Sequence, residues 1–374
     1  MKRILALAPL PPPFSGPEVS SEILFSGPLR NLRVKVINIS VKKGKEDRGF
    51  ITPSALLKFS GIYLRYIFRF PFYDGVYLPI TATRLGWYRD MSILVPAMYA
   101  RKRLILHMRG GHFHYFYRGL KDDWFKKAVY RILNSASRII VQSPSLKKQF
   151  RGIVPEDVLE VLPNPFHPDF LKLNPESPER KRVRVLFVGL FTVAKGYHDL
   201  VHVAENVLRN FDVEFVFLGN PVKGEKNIFF NQITGKSLEE KPFVKLEHPS
   251  VRYLKDIYGR EKVELFEKCS IFVLPSYSEG FSMAVLEAMV SGCAVITTPA
   301  GAMADYIEHE KTGILINPGD REALHRWLVR LIEDEELRRY LGENARRYAL
   351  ENFHPDRVRN MLEEIFLRAL SQSV

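Results

Sequence analysis

The feature that most restricts this chain is a grammar used twice. Short β-branched runs alternate with stretches of helical period, first from "RILALAPL" through "LRVKVINIS", "DGVYLPI", "KRLILHM" and "RIIVQS". The pattern resumes at "RVRVLFVGL" and continues through "VEFVFLGN", "SIFVLPS", "CAVITTP" and "TGILIN". Apolar strands without alternation are buried on both faces, which is the mark of a parallel sheet covered by helices. Two such passages predict an α/β chain of two doubly wound, Rossmann-like domains, and 374 residues suffice for two cores. Between them, "VLPNPFHPDFLKLNPESPERK" is rich in Pro, Asn and charge and reads as the linker. The predicted division is an N-terminal domain over 1–165, joined by a C-terminal helix within 355–374, and a C-terminal domain over 166–354. In such sheets ligands bind where strands end and helices begin.

Composition narrows the class. With 46% apolar and 26% charged residues, the chain is of the soluble globular kind. Two cysteines, Cys269 and Cys293, argue against a disulfide framework and predict buried thiols in a reducing compartment. "MKRILALAPL" is too short an apolar run for a secretory signal and reads as a first strand. No stretch reaches the ~18 consecutive apolar residues of a membrane span. The expected location is cytoplasmic, with the inner membrane face as a candidate docking surface. Charge is uneven: residues 1–170 hold 27 of 55 bases but 12 of 42 acids, a net of +15, against −2 for the remainder. A basic half points to an anionic partner such as nucleic acid, lipid headgroups or a phosphorylated substrate.

"PSYSEGFSMAVLEAM" places Glu279 and Glu287 eight residues apart, with Gly280, Phe281 and Ser282 between. Read as strand, loop and helix, it puts Glu279 above a strand end and Glu287 about two turns down a helix starting near Phe281. The first-turn amides suit a phosphate, and the carboxylates suit the hydroxyls of a sugar or ribose. A helix-favouring acidic residue followed by a surface glutamate is the plainer reading of the same letters. "VRVLFVGLFTVAKGYHDLV" sets Lys195 beside Gly196 at another strand-to-helix turn, the place for a phosphate ligand or a solvated lysine. "PLPPPFSGPEVS" repeats this architecture in the first domain, at Ser15 and Gly16.

With those segments in view, the chain resembles the group 1 glycosyltransferases of the GT-B fold, retaining enzymes marked by E-x(7)-E. Glu279 and Glu287 meet that spacing inside "PSYSEGFSMAVLEAMVSGCAVITTPAGAMADYI...TGILINPGD". The resemblance spans nearly the whole chain and is strongest from Cys269 to Asp320. It implies two domains facing across a cleft, with a nucleotide-diphosphate sugar such as a UDP- or GDP-sugar as donor substrate and neither cofactor nor metal. Glu279, Gly280, Phe281 and Ser282 would hold sugar and phosphate, Glu287 the ribose and Lys195 the diphosphate. The base would rest near Ile257 and Tyr258, with Gly189 and Gly219 at neighbouring strand ends. Ser15 and Gly16 would approach the diphosphate and the acceptor. "LILHMRGGHFHYFY" would supply Arg109 and a polar residue near the transferring sugar; His112 is the choice, with His107 and His114 competing. His112, Glu279 and Lys195 are thus the implied catalytic set. The family usually carries Arg after the glycine before Lys195; here Leu190 follows Gly189, leaving the diphosphate to Lys195 with amide help or to a nearby arginine.

"PSALLKFSGIYLRYIFRF" clusters Lys58, Arg65 and Arg69 on one side of a helix that is otherwise aliphatic and aromatic. This fits a core helix with one basic stripe, or a helix leaning on an anionic membrane surface. A sugar, lipid-linked or phosphorylated acceptor follows from the second reading. Two other classes compete: a basic nucleic-acid-binding protein and a nucleotide-sugar epimerase on the same scaffold. No helix-turn-helix, zinc spacing or RNP-like string supports the former, so no nucleic acid is expected. "ITGKS" lacks the first glycine of a P-loop.

Overall fold

The computed structural model describes residues 1–41, 53–173, 182–222 and 229–371. The chain divides into two compact units, Met1–Pro165 with Pro355–Val374, and Phe166–His354.

The first unit is built on six parallel strands: β1 (Lys2–Ala8), β2 (Leu32–Asn38), β3 (Gly75–Ile80), β4 (Arg103–Met108), β5 (Ala136–Val141) and β6 (Leu159–Val161). Their order is β2-β1-β3-β4-β5-β6. Helices α1 (Gly16–Phe25), α2 (Pro53–Ile67), α3 (Arg84–Tyr99), α4 (Phe113–Arg118) and α5 (Asp123–Asn134) connect them. Strand β3 is buried at every position, as expected of an apolar run covered on both faces, and β5 is buried throughout with its Arg138 paired to Glu160. Strand order reverses between β1 and β3, so the loops that follow those strands part and leave room above the sheet.

The second unit has its own parallel sheet. Strands β7 (Arg184–Val188) and β8 (Glu214–Leu218) come first, and a small antiparallel pair, β9 (Phe229–Phe230) and β10 (Ser237–Leu238), follows. Then come β11 (Val251–Leu254), β12 (Ile271–Leu274), β13 (Ala294–Thr297) and β14 (Ile314–Leu315). The main sheet runs β11-β8-β7-β12-β13-β14, the dinucleotide-binding order, with its reversal between β7 and β12. Helices α6 (Tyr197–Val207), α7 (Gly259–Glu267), α8 (Met283–Val290), α9 (Met303–Tyr306), α10 (Arg321–Glu333) and α11 (Glu335–Phe353) complete the unit. Among the described residues the β8-to-β11 connection contains no helix. Phe243 from that connection covers the sheet instead, stacked on Phe191 and Tyr197 at 5.5 and 5.7 Å.

The last helix, α12 (Pro355–Ser371), belongs to the first unit. Leu362 and Phe366 enter the core that holds Tyr77 and Ile105, and the Glu363 carboxylate accepts from the amides of Arg30 and Asn31. The segment that reads as a linker is partly anchored: Phe166 and Phe170 are buried, Phe170 edge-on to Phe266 at 5.6 Å. Its residues 174–181 lie outside the described chain. Cys269 and Cys293 are buried thiols that are not joined in a disulfide. Among the described helices none is long and apolar enough to cross a membrane.

Candidate functional site

In the second unit the loops after β7 and β12 flank the reversal, and they are sewn together. The Tyr277 amide donates to the Ala194 carbonyl at 2.9 Å. Gly196 sits at φ +67°, and a Cβ there would lie 2.1 Å from the Pro275 oxygen, so only glycine lets the lysine turn rest on the β12 loop. This apposition brings Lys195 Nζ to 2.6 Å from Glu279 Oε1, which also accepts from Ser276 Oγ at 2.7 Å. Glu279 is 7% exposed and the Lys195 side chain 29%. A carboxylate buried this far needs a compensating charge, and the lysine supplies it. The residue pair lies above the strand ends where a ligand is expected.

Helix α8 begins two residues later than its sequence suggests. The expected start near Phe281 is corrected to Met283, because Ser282 caps the helix and accepts from the Val285 amide. Phe281 turns inward against Tyr306 and Phe353 at 5.0 and 5.2 Å. Gly280 accepts from Ala302 N at 2.7 Å, which pins the loop from behind. With the Val285 amide taken by Ser282, the Met283 and Ala284 amides open the helix at its positive dipole end. Glu287 is therefore little more than one turn into the helix. It is 3% exposed, and Lys262 from α7 bridges both its oxygens at 2.8 and 2.6 Å.

Gly189, Gly219 and Ile257 occupy the ends of β7, β8 and β11. A Cβ on Gly219 would lie 1.8 Å from the Gly189 oxygen, so these two strand ends close on each other only because one is glycine. Ile257 is half-buried ahead of α7, beside Tyr258, whose hydroxyl donates to Asp256. Of the arginines, Arg321 is committed to Asp199 at 2.7 Å, and the cation that meets Glu279 is Lys195. Three contributors escaped the sequence reading: Ser276, Lys262 and Gln232. Gln232 donates from Nε2 to the Glu279 carbonyl at 2.7 Å and accepts at Oε1 from the Glu279 amide at 2.9 Å.

In the first unit, Ser15 precedes α1, which begins at Gly16, and the Ser15 hydroxyl donates to Glu18. Arg109, after β4, donates to the Pro17 carbonyl and Ser21 Oγ at 2.6 and 2.8 Å and to Tyr77 Oη at 3.3 Å. The loops after β1 and β4 are thereby tied together. His112 is half-buried immediately before α4, and His114 is half-buried inside it. His107 is a different case: it is 1% exposed, and its Nδ1 lies 2.7 Å from Tyr77 Oη. Burial first and the Arg109 charge second hold His107 well below the ordinary histidine range, so it is a neutral core residue.

Residues 171–348 match the family Glycosyl transferases group 1. An uncharacterized glycosyltransferase of Methanocaldococcus jannaschii is 25% identical over 234 residues, covering 59% of this chain and 57% of that relative's own length. The capsular polysaccharide biosynthesis glycosyltransferase CapM of Staphylococcus aureus is 24% identical over 282 residues, covering 69% of this chain and 71% of that protein. Among solved structures, Anabaena HepE in complex with UDP and glucose superposes with a TM-score of 0.68 at 18% identity, covering 98% of this chain and all of HepE. The paired Rossmann-like units are the GT-B fold. Within the matched stretch lie Lys195, Gln232, Lys262, Glu279 and Glu287.

Proposed function

We propose that this chain transfers a sugar from a nucleotide-diphosphate sugar to an acceptor, with retention at the anomeric carbon and without a metal. One observation carries the reading: Lys195 and Glu279 meet at 2.6 Å where the strand order reverses, beside the amides that open α8. The diphosphate takes Lys195 and those amides, and the freed Glu279 carboxylate accepts sugar hydroxyls. Gly280, Phe281 and Ser282 line the sugar and phosphate, Glu287 takes the ribose, and Gly219 and Ile257 border the base. The complex of HepE with UDP and glucose favours a UDP-sugar as donor.

As the bond from the anomeric carbon to the departing phosphate breaks, negative charge builds on that oxygen. Lys195 and the α8 amides stabilise it, the kind of preorganised electrostatics worth a few kcal/mol per contact. The acceptor oxygen bonds to the same face, and its proton passes to the leaving phosphate. His112 contributes a polar contact to the transferring sugar. Ser15 and Arg109 serve the acceptor, Arg109 by holding α1 against the β4 loop.

The acceptor is a sugar, a lipid-linked molecule or a phosphorylated one. Support for the lipid comes from α2 and the turn after it. Leu57, Leu64, Phe68 and Phe72 are 55 to 78% exposed, flanked by Lys58, Arg65 and Arg69, with no acidic residue from 53 to 73. An apolar stripe edged with cations suits a peripheral position on an anionic membrane, on its cytoplasmic face. The family match disfavours the nucleic-acid-binding and epimerase readings.

Thermal denaturation with UDP, GDP and their sugar conjugates tests the proposal. A saturable rise in midpoint with one nucleotide sugar, lost in Glu279→Ala, is expected. No rise with any of them contradicts it.

A further inference from the structure

The connection between β8 and β11 does more than cover the flank of its sheet. Where a crossover helix is usual in a doubly wound sheet, this segment forms the β9–β10 pair and sends its turn to the β12 loop. Gln232 meets that loop with three hydrogen bonds. Its own amide donates to the Tyr277 carbonyl at 3.0 Å, and its side-chain amide takes both main-chain groups of Glu279. The main chain of Glu279 is thus gripped on both sides by one side chain, and its carboxylate is left to Ser276 and Lys195.

The grip is itself supported. Asn231 is 7% exposed, and its Oδ1 accepts from the amides of Ile233 and Thr234 at 2.9 and 3.1 Å, closing the turn that presents Gln232. The Gly235 amide adds a bond to the Asn231 carbonyl at 2.8 Å. Further along, Glu240 Oε1 accepts from the Val193 amide at 3.0 Å, two residues before Lys195. One segment therefore touches the backbone of both loops that carry the ion pair.

We infer that Gln232 is a positioning residue for Glu279, fixing the carboxylate where the donor's sugar, rather than its diphosphate, is held. This rests on the functional reading above and adds a residue to it. Hydrogen bonds to the peptide groups on both sides of the Glu279 Cα restrict its backbone rotation, and a small misplacement of a sugar-binding group weakens the transition state more than the ground state. The phosphate contacts are assigned to Lys195 and the α8 amides, whereas the bonds of Gln232 go to the main chain of Glu279 and Tyr277.

The test uses the full chain, with UDP and UDP-glucose and with GDP and GDP-mannose as probes, in calorimetric titration. Gln232→Met keeps the side chain's length and removes both bonds to Glu279. Gln232→Glu turns an oxygen toward the Glu279 carbonyl and loses the donor. Both variants are expected to bind the diphosphate as the unaltered chain does. The extra affinity that the sugar contributes is expected to fall roughly tenfold or more, as loss of two hydrogen bonds implies. A full sugar increment in Gln232→Met overturns the inference. So does an equal loss of diphosphate and nucleotide-sugar binding, or failure of both variants to fold, since either makes Gln232 a scaffold residue. If the unaltered chain binds none of the four probes, the functional reading itself fails and the inference falls with it.

Discussion

Lys195→Met separates what the Lys195–Glu279 pair does for the fold from what it does for the ligand. The substitution keeps the stem and removes the ammonium, leaving a carboxylate 7% exposed with Ser276 still donating to it. Breaking a buried pair on one side costs about 3–5 kcal/mol; with Lys195 29% exposed, water can reach the gap and about 2–3 kcal/mol is expected. Glu279→Gln leaves a lysine able to turn toward solvent, and about 1 kcal/mol is expected. The double variant should cost less than the sum by about 1–2 kcal/mol, the interaction energy of the pair. Urea unfolding of the four proteins gives these numbers, and titration with a nucleotide sugar gives the second half of the comparison. The double variant is more stable than the sum of the single costs allows, but binding shows no such recovery, because neither the phosphate cation nor the sugar's acceptor is present. Additive stability costs, or a double variant that binds normally, would refute the assignment.

Three further outcomes follow from the same geometry. Gly196→Ala forces a Cβ against the Pro275 carbonyl at φ +67°, so a loss of about 2 kcal/mol or more in urea unfolding is expected, with weakened diphosphate binding. His107 is held neutral in the fold, its pKa below the unfolded value, so below about pH 6.5 the unfolded chain binds a proton that the folded chain refuses. Stability is therefore lost as pH falls through that window, by up to about 1.4 kcal/mol per unit, and His107→Gln should remove this slope in unfolding measured at pH 7, 6 and 5. Lys58→Glu with Arg65→Glu should abolish co-sedimentation with phosphatidylglycerol vesicles while leaving nucleotide binding intact; unchanged sedimentation would return α2 to a purely packing role.

The parts of the fold legible in the sequence were those with a one-dimensional signature. Buried parallel strands such as β3, β7, β12 and β13 are largely apolar runs, and the glycines near several of their ends mark loops. Strands β6 and β11 were passed over because "LEV" and "VRYL" are short and carry charge. The start of α8 was misplaced by two residues because Ser282 reads equally well as a helix residue or a cap until its hydroxyl is seen on Val285 N. Glu279, Glu287 and Lys195 stood out beside glycines at strand-to-helix turns. Gln232 and Lys262 did not, since the significance of each comes from a partner far along the chain, 47 and 25 residues away. No local spacing encodes that Lys262 neutralises Glu287 or that Gln232 grips Glu279. Among the histidines of "LILHMRGGHFHYFY", no local pattern separates His107 from the others, because its burial and its pairing with Tyr77 come from the β3–β4 register.

A crystal structure of the chain with a bound nucleotide sugar tests the central claim most directly. The account predicts the diphosphate on Lys195 and the α8 amides, the sugar hydroxyls on Glu279, and the Lys195–Glu279 contact opened or shared. A diphosphate seated elsewhere, with that 2.6 Å contact intact, would contradict it.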